Sequence, residues 1–208
     1  DVVDTSQRPL LHQPYAFKTI TAAVAYINTL PPTVSSTDPL PYLSPITGFQ
    51  WDYALIHLLT GRYASSNAPD PSQSLHNQLL ANLETFPIQL PNRVSIQGTS
   101  ALDTVIELGR GEGPAFLFGH TAKSRGAGTF ISSISIMGAN PWLDHYPPPP
   151  SPWPSKYSCA AIALSKNVEC ELRIDDCFLF ANGVALLADG EHGVHPGHKI
   201  TISNCSFV

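Results

Sequence analysis

Four short segments of this chain share one pattern, apolar, polar, apolar, then a turn-forming or polar pair. They are Val94-Ser95-Ile96-Gln97-Gly98, Ile134-Ser135-Ile136-Met137-Gly138, Leu172-Arg173-Ile174-Asp175-Asp176 and Ile200-Thr201-Ile202-Ser203-Asn204. Their second isoleucines, Ile96, Ile136, Ile174 and Ile202, are separated by steps of 40, 38 and 28 residues. Between them lies a second kind of strand: Thr104-Val105-Ile106-Glu107-Leu108, Ala161-Ile162-Ala163-Leu164 and Gly183-Val184-Ala185-Leu186-Leu187. A two-residue period sends alternate side chains to opposite faces. Equivalent strands that return every few dozen residues can stack about 4.8 Å apart, each turn of chain covering the apolar edge of the last. The expected fold is all-β, a right-handed parallel β-helix, in which a solenoid of short strands shares one continuous core.

The rest of the chain fits round that solenoid. Residues 1–14 are polar and bounded by proline, and read as an extended arm. Residues 15–208 read as a single β-helix domain, with a capping helix and loop over 15–50 and coils over 51–208. In the first of these parts, apolar residues at 20, 23, 24, 27 and 30 follow the 3.6-residue period. Thr19 stands as the N-cap and Pro31-Pro32 as the stop. Trp51 to Leu59 reads as a buried strand ended by Thr60-Gly61, and Leu75 to Leu83 as a helical turn. The long step in the middle is accounted for by a proline-rich insertion over 141–154, a polyproline-like flap on one turn.

Composition narrows the function classes. Charged residues make up 13% of the chain, about half the usual ~25%, so the surface is built from Ser, Thr, Asn, Gln, Gly and Pro. Twenty prolines rule out a mainly helical chain. A net charge of −5 without any run of Lys or Arg leaves no footprint for nucleic acid. No stretch approaches the ~18 apolar residues of a membrane span. The start at Asp1 fits a mature chain after leader removal, and with this surface it gives an extracellular or cell-surface expectation.

The four cysteines, Cys159, Cys170, Cys177 and Cys205, match no zinc spacing. Two readings stand side by side: up to two disulfides, or thiols buried in the stack. Placing Ile174 over Ile202 puts Cys177 over Cys205. Stacked Cα atoms about 4.8 Å apart fall within disulfide reach, while parallel Cβ vectors favour an unbridged thiol ladder.

Three segments together resemble a known family: Tyr15-Ala16-Phe17-Lys18-Thr19-Ile20-Thr21-Ala22-Ala23, Thr60-Gly61-Arg62-Tyr63, and Phe86-Pro87-Ile88-Gln89-Leu90-Pro91-Asn92-Arg93-Val94-Ser95-Ile96-Gln97-Gly98. They are similar to the DUF1565 group of pectin-lyase-like proteins, in which a "PFKTIT" segment opens a capping helix and a "pGtY" turn ends the first strand. Thr60 replaces that turn's usual proline. The resemblance spans residues 15–208 and implies that the helix plugs the N-terminal end of the bore. It implies secreted or surface proteins without assigned activity.

Pectate lyases and polygalacturonases share this superfamily, so the resemblance raises a carbohydrate-active site. Polygalacturonases carry a paired-Asp strand and a later His-Gly, and Asp175-Asp176-Cys177 and His192-Gly193 stand here. Inverting hydrolysis needs one carboxylic acid and one carboxylate about 6.5–9.5 Å apart. The Asn-Thr-Asp and Arg-Ile-Lys elements that accompany such sites are missing, and adjacent strand residues point to opposite faces unless a turn intervenes. The plainer reading makes Asp175 and Asp176 turn residues, like Ser203-Asn204 one coil on. A lyase would need an acidic calcium cluster and a basic proton acceptor, and the acidic residues are scattered.

His192, His195 and His198 offer three imidazoles to Zn or Cu, but the Gly and Pro between them favour a solvent loop. Trp142, Tyr146 and Trp153 round the proline run either form a platform for sugar or pack the flap onto the solenoid. Asn204-Cys205-Ser206 satisfies the N-glycosylation pattern within an expected strand. The apolar end at Phe207-Val208 reads as open, and the arm at 1–14 as a covering strand from another copy. The expectation is therefore a secreted, non-catalytic structural protein that self-associates through these two features, end to end into a fibre. A polysaccharide-active enzyme and a carbohydrate-binding or adhesive module are the alternatives. No cofactor is expected, and a polysaccharide is the alternative partner.

Overall fold

The computed structural model describes residues 16–29, 54–65, 81–91, 94–109, 112–118, 129–139, 159–165, 171–180, 182–188 and 199–208. The arm at 1–14 and the proline-rich insertion at 141–154 lie outside them.

Helix α1 (Ile20–Thr29) forms where the apolar period was expected, and buries Ile20, Ala23, Val24 and Ile27 on one face. The Thr19 hydroxyl accepts from the Ala22 amide at 3.0 Å, the N-cap bond its position calls for. Tertiary structure adds a second cap. The Glu84 carboxylate accepts from the backbone amides of Ile20 (2.5 Å) and Thr21 (3.0 Å) and from the Thr21 hydroxyl (2.7 Å). It thus satisfies donors that a helix leaves open at its N-terminus. No described helix is long and apolar enough to cross a membrane.

Fourteen strands follow among the described residues, and every pairing among them is parallel. One sheet sets β1 (Ala54–Leu58), β4 (Val94–Gly98), β7 (Thr129–Ser132), β10 (Glu171–Asp175) and β13 (Lys199–Ser203) side by side. A second runs β14 (Ser206–Phe207), β11 (Phe178–Phe180), β8 (Ser135–Met137), β5 (Thr104–Glu107), β2 (Gly61–Ser65) and β3 (Ala81–Glu84). A third holds β12 (Val184–Ala188), β9 (Ala160–Leu164) and β6 (Phe116–Phe118). The chain visits the sheets in turn, so that β4, β5 and β6 make one pass, β7, β8 and β9 the next, and β10, β11 and β12 a third.

Register lines up like residues from pass to pass. Ile56, Ile96, Ile131, Ile174 and Ile202 are successive partners in the first sheet. Tyr63, Ile106, Ile136, Leu179 and Phe207 are successive partners in the second. Most of these side chains join one buried cluster with the apolar face of α1. Isoleucine suits such a stack because a β-branched side chain fills a pleated, buried surface with few rotamers.

Three expectations are corrected. The partner of β4 is β7, not Ile134–Gly138: Ile131 lies opposite Ile96, and Ile136 belongs to the second sheet. Ser133, with φ of 53°, turns the chain between Ile131 and Ile134, and a period of two cannot register that corner. Thr104–Glu107 likewise pairs in the second sheet, whereas the other two strands of its sequence class pair in the third. Of the segment expected as a helical turn, residues 75–80 lie outside the described residues, and 81–83 belong to a strand, Ala81–Glu84, beside β2.

Glu84 ties this strand to the helix, and its removal tests the joint. Glu84→Ala leaves two helix amides without their acceptor and is expected to cost about 1–3 kcal/mol in urea unfolding. Burial pushes the Glu84 carboxyl above the ordinary carboxylate range, against the three hydrogen bonds it accepts. The folded chain therefore holds this proton to higher pH than the unfolded chain. Stability should fall as pH rises through that window and level off above it, a slope that Glu84→Gln removes.

Candidate functional site

The corner between the first and second sheets gathers the polar residues the sequence singled out. Ser133, Asp176 and Asn204 each follow the last residue of a first-sheet strand and share a left-handed conformation, with φ of 53°, 50° and 52°. Asp and Asn tolerate this region better than most residues, because short polar side chains bond locally there. Asp175 closes β10 on the outer face, with Asp176 at the corner and Cys177 buried behind it. A turn does separate the two carboxylates.

Each carboxylate ties its own pass to a neighbour. Asp175 accepts from the Ser203 hydroxyl at 2.6 Å and the Asn204 amide at 3.0 Å, both on the following pass. The Arg173 guanidinium stands 3.7 Å away and also lies over the Phe130 ring. Asp176 accepts from the Ser133 hydroxyl at 2.9 Å, on the preceding pass. These bonds commit both carboxylates to side chains of neighbouring passes, whereas a general acid must be aimed at a leaving group. Asn204 is exposed at this corner and not inside a strand, with its amide turned to Asp175.

The same corner brings the expected cysteine pair together. Ile174 pairs with Ile202 and Phe178 with Ser206, so Cys177 and Cys205 occupy equivalent positions on adjacent passes. Both are thiols, Cys177 buried and Cys205 half-buried. The Cys177 thiol points to the carbonyl oxygens of Asp175 (3.2 Å) and Ile131 (3.8 Å). The hydrogen bond between the two sulfurs, followed by burial, pushes Cys177 up. The bond from Cys177 brings Cys205 down to about 7. Cys159 is half-buried at the head of β9. Cys170, His192, His195, His198, Trp142, Tyr146 and Trp153 lie outside the described residues. Among the described residues, no three His, Cys, Asp or Glu side chains converge as a metal set.

One polar cluster was not foreseen. Arg62 on β2 and Glu107 on β5 form an ion pair in which the side chains are each 2% exposed. Beside it the Ser65 hydroxyl donates to Glu112. Strand alternation assigns Arg62 and Glu107 to the outer face, away from Tyr63 and Ile106, and an outer face ordinarily means solvent. Both faces of β2 and β5 are in fact buried, a tertiary outcome without a signal in either segment. No family model matches this chain, and neither a curated protein nor a solved structure was found to match it.

Proposed function

We propose that the chain is a right-handed parallel β-helix of the pectin-lyase-like kind, similar to the DUF1565 group, and that it acts as a secreted or cell-surface structural protein without catalytic activity. The observation that carries this reading is the use of Asp175 and Asp176 as ties between passes, which leaves the resembled hydrolase chemistry without its acid and base. The visiting order of the three sheets and the in-line isoleucines support a coiled path. The apolar face of α1, buried in the same core, supports a helical plug at one end. At the other edge Ile202 is 43% and Phe207 50% exposed, although both continue the inner stacks. We assign this β13–β14 edge, which has no neighbouring strand among the described residues, to self-association, because open strand edges with apolar rungs are templates for another chain.

Two measurements test the reading. Incubation with polygalacturonate should release no product, from the native protein or from Asp176→Asn; cleavage abolished by Asp176→Asn would establish the hydrolase instead. Sedimentation velocity over a concentration series should show assembly, weakened at least about tenfold, or ~1.4 kcal/mol, in Ile202→Lys. A monomer at all concentrations overturns the self-association.

A further inference from the structure

The thiol pair at the corner has an arrangement that a purely structural ladder does not require. Its two members hold equivalent corner positions on adjacent passes, flanked by the directly paired Ile174–Ile202 and Phe178–Ser206; neighbouring strands stand about 4.8 Å apart, inside the ~4.4–6.8 Å Cα range that a disulfide spans. They differ sharply in access in the unassembled chain: Cys177 is 1% exposed, whereas Cys205 is half-buried next to the exposed Asn204 and Ser206. We propose that Cys205 is a modification site for small-molecule disulfides, with Cys177 as its resolving thiol, and that closure of the pair clamps the β13–β14 edge onto β10 and β11.

The chemistry balances in two exchanges. The Cys205 sulfur, as thiolate, attacks one sulfur of the small disulfide. The electron pair of the broken S–S bond leaves on the other half, which takes up the proton that Cys205 gave to solvent. Cys177 then yields its proton, and its sulfur attacks Sγ of Cys205. The second small thiol departs with the electron pair and that proton. Two protein thiols have become one disulfide, and one small disulfide has become two thiols. The order follows from the environment. Cys205 is the sulfur that a small disulfide can reach, and the hydrogen bond from Cys177 lowers its thiol pKa, so it is the nucleophile. Asp175 and Asp176, the charged groups facing the pair, oppose ionisation of Cys205 and Cys177 respectively, and the Cys177 hydrogen bond outweighs the first.

The test is oxidised glutathione added to the native protein, with intact mass and peptide mapping as the readout. The native chain should lose the mass of two hydrogen atoms, mapped to Cys177 and Cys205. Cys177→Ser should stop with one glutathione on Cys205, and Cys205→Ser should leave Cys177 unmodified. Amide exchange over Ile200–Phe207 should slow at least about tenfold in the oxidised native protein. A stable glutathione adduct on native Cys205, modification of Cys177 in Cys205→Ser, or no reaction at all would overturn the assignment. Unchanged exchange in a protein that has closed the bond would overturn the clamp. The native-protein measurements decide the matter even if a variant fails to fold.

Discussion

Arg62→Ala is expected to destabilise the protein by about 3–5 kcal/mol. The reason is the environment of its partner. Glu107 is 1% exposed, between Ile106 and Leu108, both fully buried. Removing the guanidinium leaves a carboxylate that neither water nor a counter-charge can compensate. A double substitution that replaces both members with apolar residues, Arg62→Met with Glu107→Leu, should recover much of the loss. Desolvating an ion pair costs about as much as the pair returns. Chemical denaturation of the single and double variants checks both statements; a double variant no better than Arg62→Ala would mean that Arg62 acts through other contacts.

Gly98→Ala is expected to cost about 3 kcal/mol or more, against the tenths of a kcal/mol that an open strand position would show. A Cβ built on Gly98 would lie 2.1 Å from the Ser133 carbonyl oxygen, 2.8 Å from a methyl of Ile134 and 2.9 Å from Thr104 Cβ. The nearest atom is backbone on the adjacent pass, so no side-chain rotation relieves the clash. Gly98 stands in the register position later filled by Ser133, Asp176 and Asn204, but its corner is built differently. Five residues, Thr99–Asp103, separate β4 from β5, whereas two separate β7 from β8. That longer corner is held by the Thr99 amide donating to Leu58 O at 3.0 Å and the Gly61 amide to Asp103 O at 2.9 Å. Thermal unfolding of Gly98→Ala beside Gly61→Ala makes the comparison. A Cβ at Gly61 meets nothing closer than 3.8 Å, and little change is expected there.

The isoleucine pattern carries the strands and their stacking but not the corners between them. Each apolar-polar-apolar segment did become a strand, and the alignment of Ile174 with Ile202 set Cys177 over Cys205 as the register has it. The assignment of Ile134–Gly138 to the first sheet failed because a strand's periodicity says which side chains share a face, not which sheet the strand joins. Asp176 was legible as a turn residue from its likeness to Asn204, whereas Asp175, like Ser203, closes a strand. The ties they make were not legible, because those bonds join residues 28 to 43 positions apart.

Local pattern alone foretells that short strands stack in parallel, that a helix begins after Thr19, and that Cys177 and Cys205 occupy equivalent positions on adjacent passes. These follow from local periods and from one repeated spacing, which the chain carries wherever it is placed. Only the tertiary structure decided that an outward Arg62 and Glu107 would be buried, that Glu84 would cap a helix more than 60 residues away, and that Asn204 would sit at an exposed corner. Burial and capping depend on what the rest of the fold lays against a residue, and no local pattern of apolar and polar positions contains that information.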